Sequence, residues 1–240
     1  YNQAIKDYSK TIELDPGLAL AWNNRGIAYL QEGDYDQAIK DYSKAIELEP
    51  RSAQTFTNRG KAYSLTDQHE KAIADFTETI RLKPDDAAAW IVRGLFYFKK
   101  GDYDQAIKEY TQAIKLDPES ERGWDRRGDV YIRKGDSDQA IKDYSQAIKV
   151  SPRSALIWYD RGFAYGNKGE YGQAINDYNE AIKLDKAQGW LSPGNAVIWN
   201  SRGDAYRKLG NEAKAKADFL KAKELFLKAE ELEAKAKGKP

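Results

Sequence analysis

The sequence predicts an all-α solenoid of antiparallel helix pairs, and three observations carry that prediction. The first is a fixed period: Trp22, Arg25, Gly26 and Tyr29, then Gly33-Asp34, Ala38, Tyr42, Ala45 and Pro50, form a skeleton that returns every 34 residues. A period of about 20–50 residues marks stacked structural repeats, each of which buries its apolar face only against its neighbours. The second is the spacing within a copy. Trp22, Arg25, Gly26 and Tyr29 recur at i, i+3, i+4 and i+7, which is one face of a helix. The third is punctuation: Gly33 supplies a left-handed helix end, Asp34 a capping oxygen, and Pro50 a stop.

In chain order, residues 1–18 match the second half of a repeat, with Ala4, Tyr8 and Pro16 where the next copy has Ala38, Tyr42 and Pro50. A lone second helix leaves a face uncovered, and Tyr1, Ile5, Tyr8 and Ile12 are expected on that edge. The chain opens in mid-repeat without Met, as a fragment or processed product would. Complete repeats are expected at 19–52, 53–86, 87–120, 121–154, 155–188 and 196–229, opened by Trp22, Phe56, Trp90, Trp124, Trp158 and Trp199.

Each copy reads helix, turn, helix. The second helix of the first copy buries Ala38, Ile39, Tyr42 and Ala45, and Gly26 and Ala38 are small because the helices approach closely there. Gln37, Gln105, Gln139 and Gln173 follow Asp34, Asp102, Asp136 and Glu170 by three residues, as a capping box requires. The second copy has Asp67-Gln68 in place of Gly-Asp, so its turn should be looser. His69 stands where other copies have Tyr35, Tyr103 and Tyr171, and reads as a packing residue. An insertion at 185–191 is close to two helical turns, so the second helix of repeat five has room to lengthen in phase, with Gly189 opposing it. Trp190 beside Leu191 has no counterpart elsewhere; it reads as tucked against neighbouring helices, with a partner contact as the alternative. From Asn211 strong helix formers continue to Lys237, with Phe219, Ala222, Phe226 and Ala229 expected inward. Residues 230–240 form a C-terminal extension and tail that caps the array or meets a helix of another chain.

The skeleton resembles the tetratricopeptide repeat, whose signature is a Trp, Leu-Gly, Tyr and spaced Ala, Phe and Pro over 34 residues. One departure is systematic: the family's Leu before Gly is replaced by Arg25, Arg59, Arg93, Arg127, Arg161 and Arg202. The resemblance implies a right-handed superhelix of helix pairs. Its first helices would line a concave groove, where partner proteins or peptides bind.

Composition narrows the function classes. There are 39 Lys and Arg against 38 Asp and Glu, a net charge of +1, which lacks the basic field of a general nucleic-acid binder. No apolar run approaches the roughly 20 residues of a membrane helix, and the balanced Lys and Glu of the last helix argue against membrane insertion. There is no signal-like segment at the start. With no Cys and one His, no cluster of soft ligands can hold zinc, and no glycine-rich loop matches a phosphate cradle. The sequence therefore points to no catalytic residues, metal or cofactor. It leaves the compartment open between cytoplasm and periplasm.

In every copy an acid follows the arginine by sixteen residues: Asp41, Asp75, Glu109, Asp143, Asp177 and Asp218. Asp7 holds the same place in the partial unit. A side chain present in all copies serves what all copies share, so each arginine is expected to bridge to an acid on an adjacent second helix, its stem against aromatic rings.

Positions that differ between copies are free to read a partner. By the resemblance, the groove-facing positions of the first helices hold Asn23, Asn24, Ile27 and Leu30 in copy one, and Thr57, Asn58, Lys61 and Ser64 in copy two. Copy three presents Ile91, Val92, Leu95 and Phe98, an apolar stripe beside the core stripe. Copy four turns charged with Arg122, Asp125, Arg126, Asp129 and Arg133, and copy five carries Tyr159, Asp160 and Phe163. Copy six is polar, with Asn200, Asp204 and Arg207. Peptide-binding candidates are thus Ile91, Val92, Leu95, Phe98, Arg122, Arg126, Tyr159 and Phe163, fitting a guest with bulky apolar residues and a carboxylate. Two alternatives stand beside this: Ile91 and Leu95 fill space beneath adjacent helices, and Arg122 and Arg126 pair with Asp125, Asp129 or Asp160. The clamp by which some family members hold a peptide C-terminus is mostly missing, with Thr57, Lys61 and Val92 at its other places. The expected function is a non-enzymatic scaffold binding a partner protein's segment; the alternative is an assembly unit that self-associates through its terminal repeats.

Overall fold

The computed structural model describes residues 1–188 and 193–237, and side chains over 1–185, 196–232 and 235. Gly189, Trp190, Leu191 and the last three residues lie outside the described residues, and with them the reading of Trp190. All regular structure among the described residues is helical. The chain divides into two compact units, Tyr1–Pro118 and Glu119–Pro240.

The first unit holds α1 (Asn2–Leu14), α2 (Ala19–Glu32), α3 (Tyr35–Leu48), α4 (Ala53–Leu65), α5 (His69–Leu82), α6 (Ala87–Lys99) and α7 (Tyr103–Leu116). The second holds α8 (Glu121–Lys134), α9 (Ser137–Val150), α10 (Ala155–Asn167), α11 (Tyr171–Gln188), α12 (Pro193–Lys208) and α13 (Glu212–Lys237). Within each unit every helix packs on the one before and the one after it, the order of stacked antiparallel pairs. This is the all-α solenoid that the period predicts.

The pairs follow from local chemistry. α2 ends at Gly33 with φ 84°, a left-handed residue that bends the chain, and the Asp34 N–H donates back to the Tyr29 carbonyl at 3.0 Å. The Asp34 side chain then accepts from the Gln37 N–H, as Asp102 does from Gln105 and Asp136 from Gln139. Only this half of the expected capping box forms. The Gln105 amide instead donates to Glu109 Oε1 at 2.7 Å, and the Glu170 carboxylate takes Lys168 Nζ at 2.6 Å.

The second turn is not loosened. Asp67 adopts φ 56°, the conformation glycine takes elsewhere, and the Gln68 N–H reaches the Tyr63 carbonyl at 2.9 Å. Asp tolerates the left-handed region better than most side chains, so the turn survives. What is lost is the cap: the Gln68 side chain accepts from no backbone N–H of α5 and takes Lys71 Nζ at 2.7 Å instead.

The cores combine alanines and aromatics of the second helices with first-helix residues such as Ala62, Phe96, Val130 and Ala164. Tyr42, Phe76, Tyr110 and Tyr144 are almost wholly buried. Gly26 is small for a specific reason: a Cβ there would lie 2.7 Å from the Tyr42 ring, and one on Gly128 would lie 2.7 Å from Tyr144. The close approach is thus of an aromatic ring to a helix backbone, not of one backbone to another. Trp22, Trp90 and Trp158 donate their indole N–H to the carbonyls of Pro16, Pro84 and Pro152, fixing each first helix to the turn before it. His69 packs its ring 5.5 Å from that of Phe96.

Two expectations are corrected at the ends. Ile12 is buried, so it belongs to the covered side of α1, while Tyr1 is exposed and Ile5 and Tyr8 are half-buried. In α13, Ala222 is buried but Phe226 is 43% exposed; Leu225, one residue earlier, is the half-buried one. At 3.6 residues per turn the inward line from Ala215 through Asp218 and Ala222 reaches Leu225 and Ala229 and leaves Phe226 outside. α11, at 18 residues against 14 in α9, runs into the insertion as its length allows.

Candidate functional site

The recurrent arginines and their acids meet. Arg25 sends Nε to Asp41 Oδ2 at 2.7 Å and Nη2 to Oδ1 at 2.8 Å, a planar fork on a carboxylate. The same fork joins Arg59 to Asp75, Arg127 to Asp143, Arg161 to Asp177 and Arg202 to Asp218. Glu109 is one carbon longer, and there Nε and Nη2 of Arg93 converge on the same oxygen, Oε2, at 2.9 and 2.8 Å. Each acid is buried, and the guanidinium lies over the first helix's own aromatic ring, 4.9 Å from Trp22 and 4.5 Å from Trp199.

A third contact was not read from the sequence. Nη1 of Arg25 donates to Ser9, that of Arg59 to Ser43, that of Arg93 to Thr77 and that of Arg161 to Ser145. Each hydroxyl in turn donates to a carbonyl one turn back in its own helix, as Ser9 does to Ile5. One arginine therefore ties its own helix, the second helix of its repeat and the second helix of the repeat before. The signal was available: a hydroxyl sixteen residues before these arginines, at the same period as the acid after them.

The varied positions fall in both units. In the first, Ile91, Leu95 and Phe98 on α6 are half-buried; Phe98 sits 5.8 Å from the Tyr103 ring, and Val92 packs on the Phe76–Phe96 core. Val92 is thus tied to the core more than to the surface. In the second, Tyr159 stacks on Phe163 at 6.5 Å and leans on Tyr178 at 5.8 Å, leaving Phe163 40% exposed. One turn further along α10, a cavity of about 200 Å³ is lined by Phe163, Tyr171, Tyr178, Ser201, Asp204 and Lys208.

Beside these aromatics the charges are arranged otherwise than the arginine count suggests. Arg122 is exposed, but Arg126 Nη1 donates to Asp129 Oδ2 at 3.1 Å. Asp129 Oδ1 accepts from the Tyr144 hydroxyl at 2.9 Å. Asp125, one turn before Asp129 on α8, and Asp160 on α10 join it, with carboxylate oxygens of the three within 4.8 Å of one another. Burial, and then the neighbouring Asp129 charge, push Asp125 up to about 6 and Asp160 up to about 8; burial also raises Asp129. The sequence showed each acid but not their convergence, which depends on how α10 is offset against α8.

Fold and site together define a stacked helical-repeat protein whose recurring polar residues are spent on one another. Four tetratricopeptide and TPR repeat profiles match the chain, at residues 19–52, 87–120 and 155–187, at 1–33 and 128–169, at 42–74, and at 196–233. The chain belongs to the tetratricopeptide repeat family. No curated protein matches it. Among solved structures it is similar to the C-terminal part of a TPR repeat-containing protein from Cytophaga hutchinsonii, at 17% identity and a TM-score of 0.80, covering 92% of this chain and 90% of that one. A MamA structure is 26% identical with a TM-score of 0.66, over 68% of this chain and 96% of that one. YrrB, described as a TPR protein with an unusual peptide-binding site, is 20% identical with a TM-score of 0.63, over 75% and 92%.

Proposed function

We propose that this protein is a non-enzymatic interaction scaffold that binds an extended peptide or helix of a partner protein along the first helices of its repeats. One observation carries the reading. The arginine–acid pairs that recur in the repeats are bonded to each other on buried acids, whereas several varying positions leave aromatic and apolar side chains at the surface, with Phe163 and Ile27 each about two-fifths exposed. Such rigid aromatics are the usual anchors of a protein interface. The peptide-binding site that the YrrB description names supports the reading by likeness of fold. Ile91, Leu95, Phe98, Arg122, Arg126, Tyr159 and Phe163 are the proposed contacts, with Val92 behind them.

The test is a pull-down with the wild type against a Leu95→Asp, Arg126→Glu variant. Partners captured by the wild type and lost by the folded variant are the expected result; an identical set from both contradicts it. A second reading, self-association through terminal helices, rests on the outer face of α13, where Leu220, Phe226 and Leu227 are exposed. Light scattering over a concentration series separates the two, since a scaffold keeps one mass and an assembly unit grows.

A further inference from the structure

Asp125 makes the second unit more specific than its aromatics alone. The residue is only 9% exposed, and its Oδ1 is buried with no hydrogen-bond partner. A buried carboxylate oxygen without a partner is costly, and a folded protein keeps one where something else completes it. The side chains it faces are two more carboxyls, Asp129 and Asp160, which can share a proton with it but bring no positive charge, and no hydrogen bond reaches Asp160 from a basic or amide group of the described residues. Both oxygens of Asp129 are already used, Oδ1 by Tyr144 and Oδ2 by Arg126. The site is thus one carboxyl with a buried, unpartnered oxygen, Asp125, and a second without a protein hydrogen bond, Asp160, backed by a third that is held in place.

From this geometry we infer that the pocket receives the cationic side chain, Lys or Arg, of the bound segment, which rests on the scaffold reading above. The partner is then basic at this point, opposite to the carboxylate that the count of arginines on α8 suggested. A side-chain ammonium or guanidinium suits the site better than a divalent ion. With Asp129 occupied, a metal would find two protein oxygens beside the Arg126 guanidinium, which repels a double charge twice as strongly as a single one. A guanidinium or ammonium brings several N–H donors to the two open carboxyls. Tyr159 and Phe163, on the same helix as Asp160, supply the adjoining aromatic wall for the stem of such a side chain.

The experiment pans a displayed library of random dodecapeptides against the full chain and against an Asp125→Asn, Asp160→Asn variant. Asn keeps the size of each side chain and removes a charge that the fold disfavours, so the variant folds. The expected result is a fixed Lys or Arg column among wild-type binders. Replacing that residue by Ala in a labelled peptide weakens wild-type binding at least tenfold by fluorescence anisotropy, and variant binding less than twofold. Wild-type binders with an acidic column, with no charged column, or with equal affinity for the variant overturn the cationic pocket and leave the scaffold standing. If the wild type selects no peptide, the scaffold reading falls and the pocket with it. Calorimetric binding of MnCl2 that the variant loses overturns the proposal in favour of a metal site.

Discussion

Arg93 and Glu109 show what one recurring pair does. Glu109 is 1% exposed and its partner's guanidinium is its compensating charge. Breaking such a buried pair from one side strands the other charge, at a cost of about 3–5 kcal/mol. Arg93→Ala is therefore expected to lower the unfolding midpoint in denaturant strongly. Arg93→Leu should be milder, because it keeps apolar bulk against Trp90. An Arg93→Ala chain as stable as the wild type would refute the stacking role. Gly128→Ala should cost about 1–3 kcal/mol by forcing a Cβ against the Tyr144 ring, read in the same unfolding curves. The acid cluster gives a pH signature. Its pKa values are raised in the folded state, so its stabilising contribution is full below about pH 4 and is lost as pH rises through about 8 for Asp160. Asp160→Asn should thus melt a few degrees higher than the wild type at pH 9, with the gap closing toward pH 4. A gap independent of pH would show that Asp160 is not held protonated.

At the scale of helices, α5 is the element whose start is weakest. Gln68 gives it no side-chain cap where α3, α7 and α9 have Asp. Gln68→Asp should stabilise the protein by about 0.5–2 kcal/mol in thermal or denaturant unfolding, and no gain would mean the missing cap costs nothing. Elements of this kind were legible in the sequence, because the 34-residue skeleton repeats the same capping, packing and stopping residues. The turn at Asp67 was misjudged because an aspartate that adopts φ 56° is invisible in a rule that asks for glycine. Phe226 was misplaced because an aromatic among alanines and lysines attracts the core role, while the helical phase gives it to Leu225. The arginine–acid spacing was readable because it stays within a repeat. The Asp125–Asp129–Asp160 pocket was not, because it joins residues of two repeats through an offset that no spacing encodes.

For the whole molecule, what repeats is consumed in holding helix to helix, and of what varies, some positions are bonded inside, as Asn58 is to Asn23, while Leu95, Tyr159 and Phe163 are left to the proposed partner. Arg25 and its equivalents, with Asp41, Ser9 and Trp22, leave few unsatisfied polar groups to offer a ligand. The most direct measurement is amide hydrogen exchange of the full chain with and without a saturating selected peptide. Slowed exchange is expected in α6 and α10, the first helices carrying Leu95 and Tyr159, with α7 and α9 unchanged. Protection confined to α7, α9 and α11, with α6 and α10 exchanging as before, would contradict it.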